Sequence, residues 1–264
     1  MVFRMSRPGS LADMVGQVIR EALDAYRRAF APLTVATLLI FLPFTAALLA
    51  LQLAAPDSTS TRQGLMIIDA VGSLLLFAPL AAITAIRTGR ALERGGDAAV
   101  RRHLGEAFGL LVPYVATQLL VLLVIAGLPG ALIAAGYAAG SPLLMTLGFG
   151  LLIGSALING VRLTCATVAV AVDDARFGPA LRRSAGLTRG SWLKVLGTLV
   201  AATLLALLIA LGLSAIALPF PAGAAQDVGT SIAELLANAV TVPFIALVSY
   251  RLYRALEARV QRPA

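Results

Sequence analysis

The chain has 264 residues, 59% of them hydrophobic and 13% charged, a mean hydropathy of +0.90, and 21 Lys and Arg against 13 Asp and Glu. An ordinary soluble domain carries about a quarter charged residues, so this composition excludes one and points to an integral membrane protein. The single cysteine, Cys165, excludes an intramolecular disulfide framework and a thiolate metal cluster, and reads as a small packing residue.

Residues 1–30 read as a cytoplasmic amphipathic segment. Six apolar runs follow, near 31–54, 65–86, 107–128, 141–172, 195–218 and 230–250, each long enough to cross hydrocarbon as a helix, which takes about 20 residues. They are Leu, Ala and Val runs without period-two alternation, which argues against a β-barrel. The first run is too long, and starts too far into the chain, for a signal-peptide core, and reads as a retained span. Residues 251–264 form a tail, and the whole of 1–264 is expected to be one membrane domain.

The positions of the cations set the topology. Of the 21 Lys and Arg, 19 fall before run one, between runs two and three, between runs four and five, or after run six, all on one side of a six-span chain. Only Arg62 lies in an opposite-side loop, and Arg162 lies within a run. The positive-inside rule then puts both termini in the cytoplasm, in a plasma membrane of the bacterial inner-membrane kind. A basic belt of this sort attracts anionic phospholipids; without interleaved aromatic residues it gives no support to nucleic-acid binding.

The chain also repeats itself. PLAAITAIRTGRALE from Pro79 aligns with PFIALVSYRLYRALE from Pro243 at an offset of 164 residues, setting Arg87 on Arg251, Arg90 on Arg254 and Glu93 on Glu257. VGQVIREALDAYRRAF from Val15 aligns with FGPALRRSAGLTRGSW from Phe177 at an offset of 162, and DAAVRRHLGEAF begins a weaker middle copy. The expected fold is an all-α, polytopic bundle of six transmembrane helices, built as three units of interfacial helix plus transmembrane hairpin. In the third interfacial helix, Leu181, Ala185 and Leu187 are expected toward the apolar side, with Arg182, Arg183 and Arg189 free to meet lipid headgroups and Trp192 at the interface.

The acidic exit Asp173–Asp174, the run ALRRSAGLTRGSW, the long aliphatic span after it and the final Pro-x(7)-Arg-x-x-Arg-Ala-Leu-Glu resemble the membrane domain associated with glycerophosphoryl diester phosphodiesterases. The likeness covers most of the chain in layout, and its most recognisable residues fall within about 170–259. It implies the non-catalytic membrane part alone, because no residues remain for the roughly 250-residue barrel that would carry the hydrolysis.

The residues themselves give no catalytic set. His103, the only histidine, is paired in sequence with Glu106 as a solvated couple, too few ligands for zinc. Asp173 and Asp174 lack the downstream acids of a divalent-cation motif, Ser10, Ser184 and Ser191 lack a histidine partner, and no phosphate-binding loop is present. No cofactor or metal is expected, and an enzyme is disfavoured.

Polar residues inside the runs are few. Counting 1.5 Å per residue from Asp173, Arg162 lies about 16 Å deep, level with Gln118, and is expected to face the bundle near Gln118 and Asn159. Asp69 and Glu234 are expected at matching depths in the outer leaflet. Two readings of Arg162 stand: a charge that fastens the hairpin, or part of a polar path with Asp69 and Glu234. The small residues Gly150, Gly154 and Ser155 are expected at an internal contact, with a dimer seam as the alternative. The leading functional reading is a non-enzymatic module that organises lipids or partner proteins, a membrane protein or a second copy, through its basic elbows. The alternative is a transporter or channel component; an integral lipid enzyme is third.

Overall fold

A computed structural model describes residues 11–54, 59–97, 99–221 and 223–261. Arg4, Arg7, Ser10 and Arg262 fall outside these residues. The described chain is all helical: α1 Leu11–Arg28, α2 Phe30–Ala54, α3 Thr59–Gly72, α4 Ala78–Glu93, α5 Val100–Ala138, α6 Pro142–Ser155, α7 Val161–Leu163, α8 Ala166–Asp173, α9 Gly178–Thr188, α10 Trp192–Ser214 and α11 Ala224–Val260. Six helical stretches are long and apolar enough to cross a membrane: Phe30–Ala54, Ser60–Glu93, Val100–Ala138, Pro142–Asp173, Trp192–Ala217 and Ala225–Val260.

Several are much longer than a bilayer requires. Val100–Ala138 has 39 residues, about 58 Å of helix against about 30 Å of hydrocarbon. The second, third and sixth spans extend beyond the expected runs at both ends, and α5 continues past residue 128, where its run was expected to end, with Pro129 inside the helix. The turn comes later, where Gly140 takes a left-handed φ of +59° and Ser141 caps α6 by accepting from the Leu144 amide.

Exposure divides these long helices into two storeys. The exposed large apolar side chains form a belt, ending at Leu76 on the second stretch, starting at Phe108 on the third and ending at Ile158 on the fourth. A belt of this kind is stable when lipid covers it. Toward the basic end the same helices turn inward. Pro79–Ala81, Ile83–Ile86 and Val168–Val172 are buried in protein, together with Phe244, Leu247, Tyr250, Tyr253 and Leu256 of α11. α1 completes this core, burying Met14, Val18, Ala22 and Tyr26 at helical spacing while Arg20, Arg27 and Arg28 face outward.

In the core α4, α8 and α11 pack against one another, and α1, α2, α5 and α9 surround them. Close approach of α4 to α11 depends on Gly89, where an added Cβ would lie 2.6 Å from a Leu247 methyl. Gly150 and Gly154 behave differently: an added Cβ there meets nothing within 4 Å. The expected internal contact along this small-residue face is not made; the face lies open because α6 pairs with α5 through Gly136 and Gly148 instead. Gly89→Val should therefore lower stability by about 1–3 kcal/mol through overpacking, while Gly150→Val should stay within about 0.5 kcal/mol. Thermal melting in detergent, read by helical circular dichroism, checks the contrast.

Candidate functional site

The fourth stretch, which contains LINGVRLTC, is not a continuous α-helix. A π-helical turn occupies Ala156–Gly160, α7 adds three residues, and the chain breaks at Thr164–Cys165 before α8 resumes. A break frees backbone groups that must find partners when buried. Ser184 of α9 supplies them: its hydroxyl accepts from the Cys165 amide at 3.1 Å and donates to the Arg162 carbonyl at 2.8 Å. The Thr188 hydroxyl, one turn further on, shares its proton between the Ser184 carbonyl at 3.0 Å and the same Arg162 carbonyl at 3.3 Å. α9 is thus fastened by its Ala180–Ser184–Leu187–Thr188 face, all four buried. Of the residues expected toward the apolar side, Leu187 is buried and Leu181 and Ala185 are half-buried, and the face that meets the break carries the hydroxyls of Ser184 and Thr188.

The break changes the reading of Arg162. Its side chain is exposed, not turned into the bundle. The residues beyond it, through Val172, are largely buried in the protein core, although the helical stretch continues to Asp173. The belt on this stretch ends at Ile158, one turn before Arg162. The Trp192 indole donates to the Leu157 carbonyl at 3.3 Å, fixing the start of α10 at the same level. Arg162 is joined to α9, which carries exposed Arg182 and Arg189, and lies beside the turn that carries Trp192. Two groups of residues that the sequence kept apart share one edge of the molecule. An arginine at such an edge can keep its guanidinium in water and lay its stem along apolar surface.

The remaining polar candidates do not join Arg162. Gln118 donates to the Leu74 carbonyl at 3.4 Å, inside a second π-helical turn, Ser73–Phe77. Asn159 donates to Ser155 at 3.2 Å within its own helix. Asp69 accepts from Ser73 at 3.3 Å, and it lies near enough to Glu234 for the two charges to interact. Both acids are exposed on the half of the bundle away from the basic end. His103 also departs from expectation. Its ring is buried, with Nδ1 3.5 Å from Glu106, because α5 starts inside the core and not on its surface.

Three backbone carbonyls share one pattern. Those of Leu74, Leu157 and Val240 accept from Gln118, Trp192 and the Tyr26 hydroxyl, the last at 3.1 Å, and they lie 83 residues from one to the next. Each donor belongs to a different helix from its acceptor. Burial raises the Tyr26 pKa, keeping the hydroxyl a donor in the neutral range.

The ends of α4, α8, α9 and α11 share an ion network that the sequence reading did not find. Arg87 pairs with Asp174 at 3.1 Å, and Arg90 donates to the Val172 carbonyl. Glu93 accepts from Tyr250, Arg251 and Arg254; Glu257 accepts from Arg254 and, at 2.8 Å, from Arg183. Arg183 also pairs with Asp173 at 3.1 Å and lies over the Tyr253 ring, whose hydroxyl donates to Asp173. Partial burial works against the Arg183 charge, but Tyr253, Asp173 and Glu257 more than offset it and hold its pKa above the ordinary arginine value. Arg183, although exposed like Arg182 and Arg189, is therefore a tie between α8, α9 and α11 through its carboxylate partners. The repeated RALE ending was the signal: it places an acid one turn after an arginine on two helices that meet.

Among the described residues no group of three His, Cys, Asp or Glu side chains could hold a metal ion. The long apolar helices, the exposed apolar belt and the basic end define a multi-pass, all-helical membrane protein. Residues 14–256 match the family described as Domain of unknown function (DUF7847), and the chain belongs to that family. No curated protein and no solved structure matches it.

Ser184→Ala removes the hydroxyl that bridges the break and leaves the Cys165 amide unpaired, so it should cost about 1–3 kcal/mol. Ser184→Thr, which keeps the hydroxyl, should recover part of that loss in the same detergent melting measurement.

Proposed function

We propose that this protein is a non-enzymatic membrane module that gathers anionic phospholipids, and through them partner proteins, at its basic end. The observation that carries this reading is the joining of Arg162 to α9 through Ser184 and Thr188. In this reading that link brings three exposed residues, Arg162, Arg182 and Arg189, to the edge of the apolar belt near Trp192. Phosphate headgroups lie at that level, and each Lys or Arg near an anionic surface contributes about 1 kcal/mol. Arg183 takes no part, since its guanidinium is committed to Asp173 and Glu257.

In this reading α1 and α9 are interfacial helices, and each introduces a hairpin. Three such units make the bundle, an arrangement supported by the even spacing of Leu74, Leu157 and Val240, whose 166-residue total lies within two residues of the 164-residue sequence offset. The basic end faces the cytoplasm, as the distribution of cations requires. The likeness of 170–259 to the membrane domain of the phosphodiesterase family is consistent with a scaffold that works beside a separate soluble enzyme.

The test is lipid retention. Protein reconstituted in phosphatidylcholine nanodiscs containing phosphatidylglycerol should retain the anionic lipid selectively in native mass spectrometry. Replacing Arg162, Arg182 and Arg189 together by Gln should lower that selectivity roughly tenfold or more, with melting unchanged. Equal retention by the variant would overturn the reading. Orientation is tested separately: a cysteine at Asp227 should react with an impermeant reagent outside intact cells, and one at Arg182 should not; reversed labelling would contradict the assignment.

A further inference from the structure

A cavity of about 310 Å³ lies where the second, third, fourth and sixth long helices meet. Its walls are aliphatic, Ala82 and Ile245 among them, but four polar side chains also line it: Tyr114, Gln118, Thr167 and Ser249. Tyr114 is 7% exposed. The Gln118 amide nitrogen is held by the Leu74 carbonyl, so its oxygen is the end available to a ligand. The site thus offers hydroxyl donors and an amide acceptor in apolar surroundings.

Two further features narrow the ligand. None of the described residues lining the cavity is charged. The nearest arginine along the chain, Arg87, follows the lining residue Ile86 and is neutralised by Asp174 at 3.1 Å. A phosphate placed here would be desolvated without a counter-charge, which is strongly unfavourable. Neutral hydroxyl and ester groups, by contrast, would find both donors and acceptors. On the second helical stretch the cavity begins at Ala78, two residues past the exposed apolar Leu76, and on the third it lies at Tyr114 and Gln118, inside the belt that starts at Phe108, so its polar side chains are within reach of acyl chains. Ile245, 40% exposed, lies at the side of the cavity and gives acyl chains a lateral way out.

We infer that this cavity binds a neutral glycerolipid of the diacylglycerol class. Its free hydroxyl and ester carbonyls meet Ser249, Tyr114, Thr167 and Gln118, and its chains leave past Ile245 into the bilayer. The site is separate from the anionic edge at Arg162, and neither depends on the other.

The experiment uses the full chain in phosphatidylcholine nanodiscs doped with a diazirine-bearing diacylglycerol or, at the same mole fraction, the matching diazirine phosphatidylcholine or phosphatidylglycerol. After irradiation, labelled peptides are located by mass spectrometry. The diacylglycerol probe should label the peptides holding Tyr114 to Gln118 and Ser249 about tenfold more than either phospholipid probe, the selectivity of one or two net hydrogen bonds and an unmet phosphate. Ala82→Phe, which fills the cavity, should reduce that labelling to the phospholipid level while leaving anionic-lipid retention unchanged. If Ala82→Phe does not fold, Ser249→Ala decides: it removes the hydroxyl with little change of volume and should lower the preference several-fold. Equal labelling by all three probes, or diacylglycerol labelling that survives a folded Ala82→Phe or Ser249→Ala, would overturn the inference.

Discussion

A helix that breaks inside protein must find partners for the backbone groups it frees, and in this molecule they come from a different helix. The Ser184 hydroxyl stands across the break at Thr164–Cys165, accepting on one side and donating on the other, as a bound water would. Because those bonds join α9 to the fourth long helix, they fix where the basic elbow lies, where α10 enters the apolar belt and which way Arg162 can point. The position of the lipid-facing edge follows from that joint. So does the distinction between Arg182 and Arg183, both exposed, of which Arg183 is paired with Asp173 and Glu257.

The charges at the basic end obey a related rule. Three helices that pack as closely as α4, α8 and α11 could not all end in arginine without repulsion. Instead α4 and α11 bring Arg87, Arg90, Arg251 and Arg254, while α8 ends in Asp173 and Asp174, and Glu93 and Glu257 complete the alternation. Arg251 is 8% exposed, so losing its carboxylate partner would leave a buried charge unpaired, a cost of about 3–5 kcal/mol for such groups. The network therefore has a structural task, and the exposed arginines outside it are the ones left for lipid.

Much of the fold was legible in the chain. Leu, Ala and Val runs announced the six long helices, and the cations gathered at one end of them. Their lengths and depths were not legible, because Val168–Val172, buried in protein, has the same composition as a segment buried in lipid. The setting of Arg162 was hidden for that reason: the exposed apolar side chains on this stretch stop at Ile158, while the helical stretch runs on to Asp173. Neither π-helical turn has a compositional signature, so the carbonyls taken by Gln118 and Trp192 could not be anticipated. Ser184 and Thr188 were visible as hydroxyls four residues apart on one helical face, yet their partner lay more than twenty residues away. The acid–arginine pairing in the repeated RALE ending was readable in principle, but only once α4 and α11 were known to touch.

The central claim is that Arg162 lies at the edge of the bilayer and not in its middle. It is tested most directly by measuring depth. A nitroxide attached at position 162 through Arg162→Cys, in a chain carrying Cys165→Ser and reconstituted in lipid, is compared for its collision rates with oxygen and with a water-soluble nickel chelate. The account predicts a headgroup-level depth, with nickel access close to that of a label at Arg189 and far above that of a label at Leu151. Oxygen-dominated relaxation at 162 matching that of Leu151 would place the residue in the hydrocarbon and contradict it.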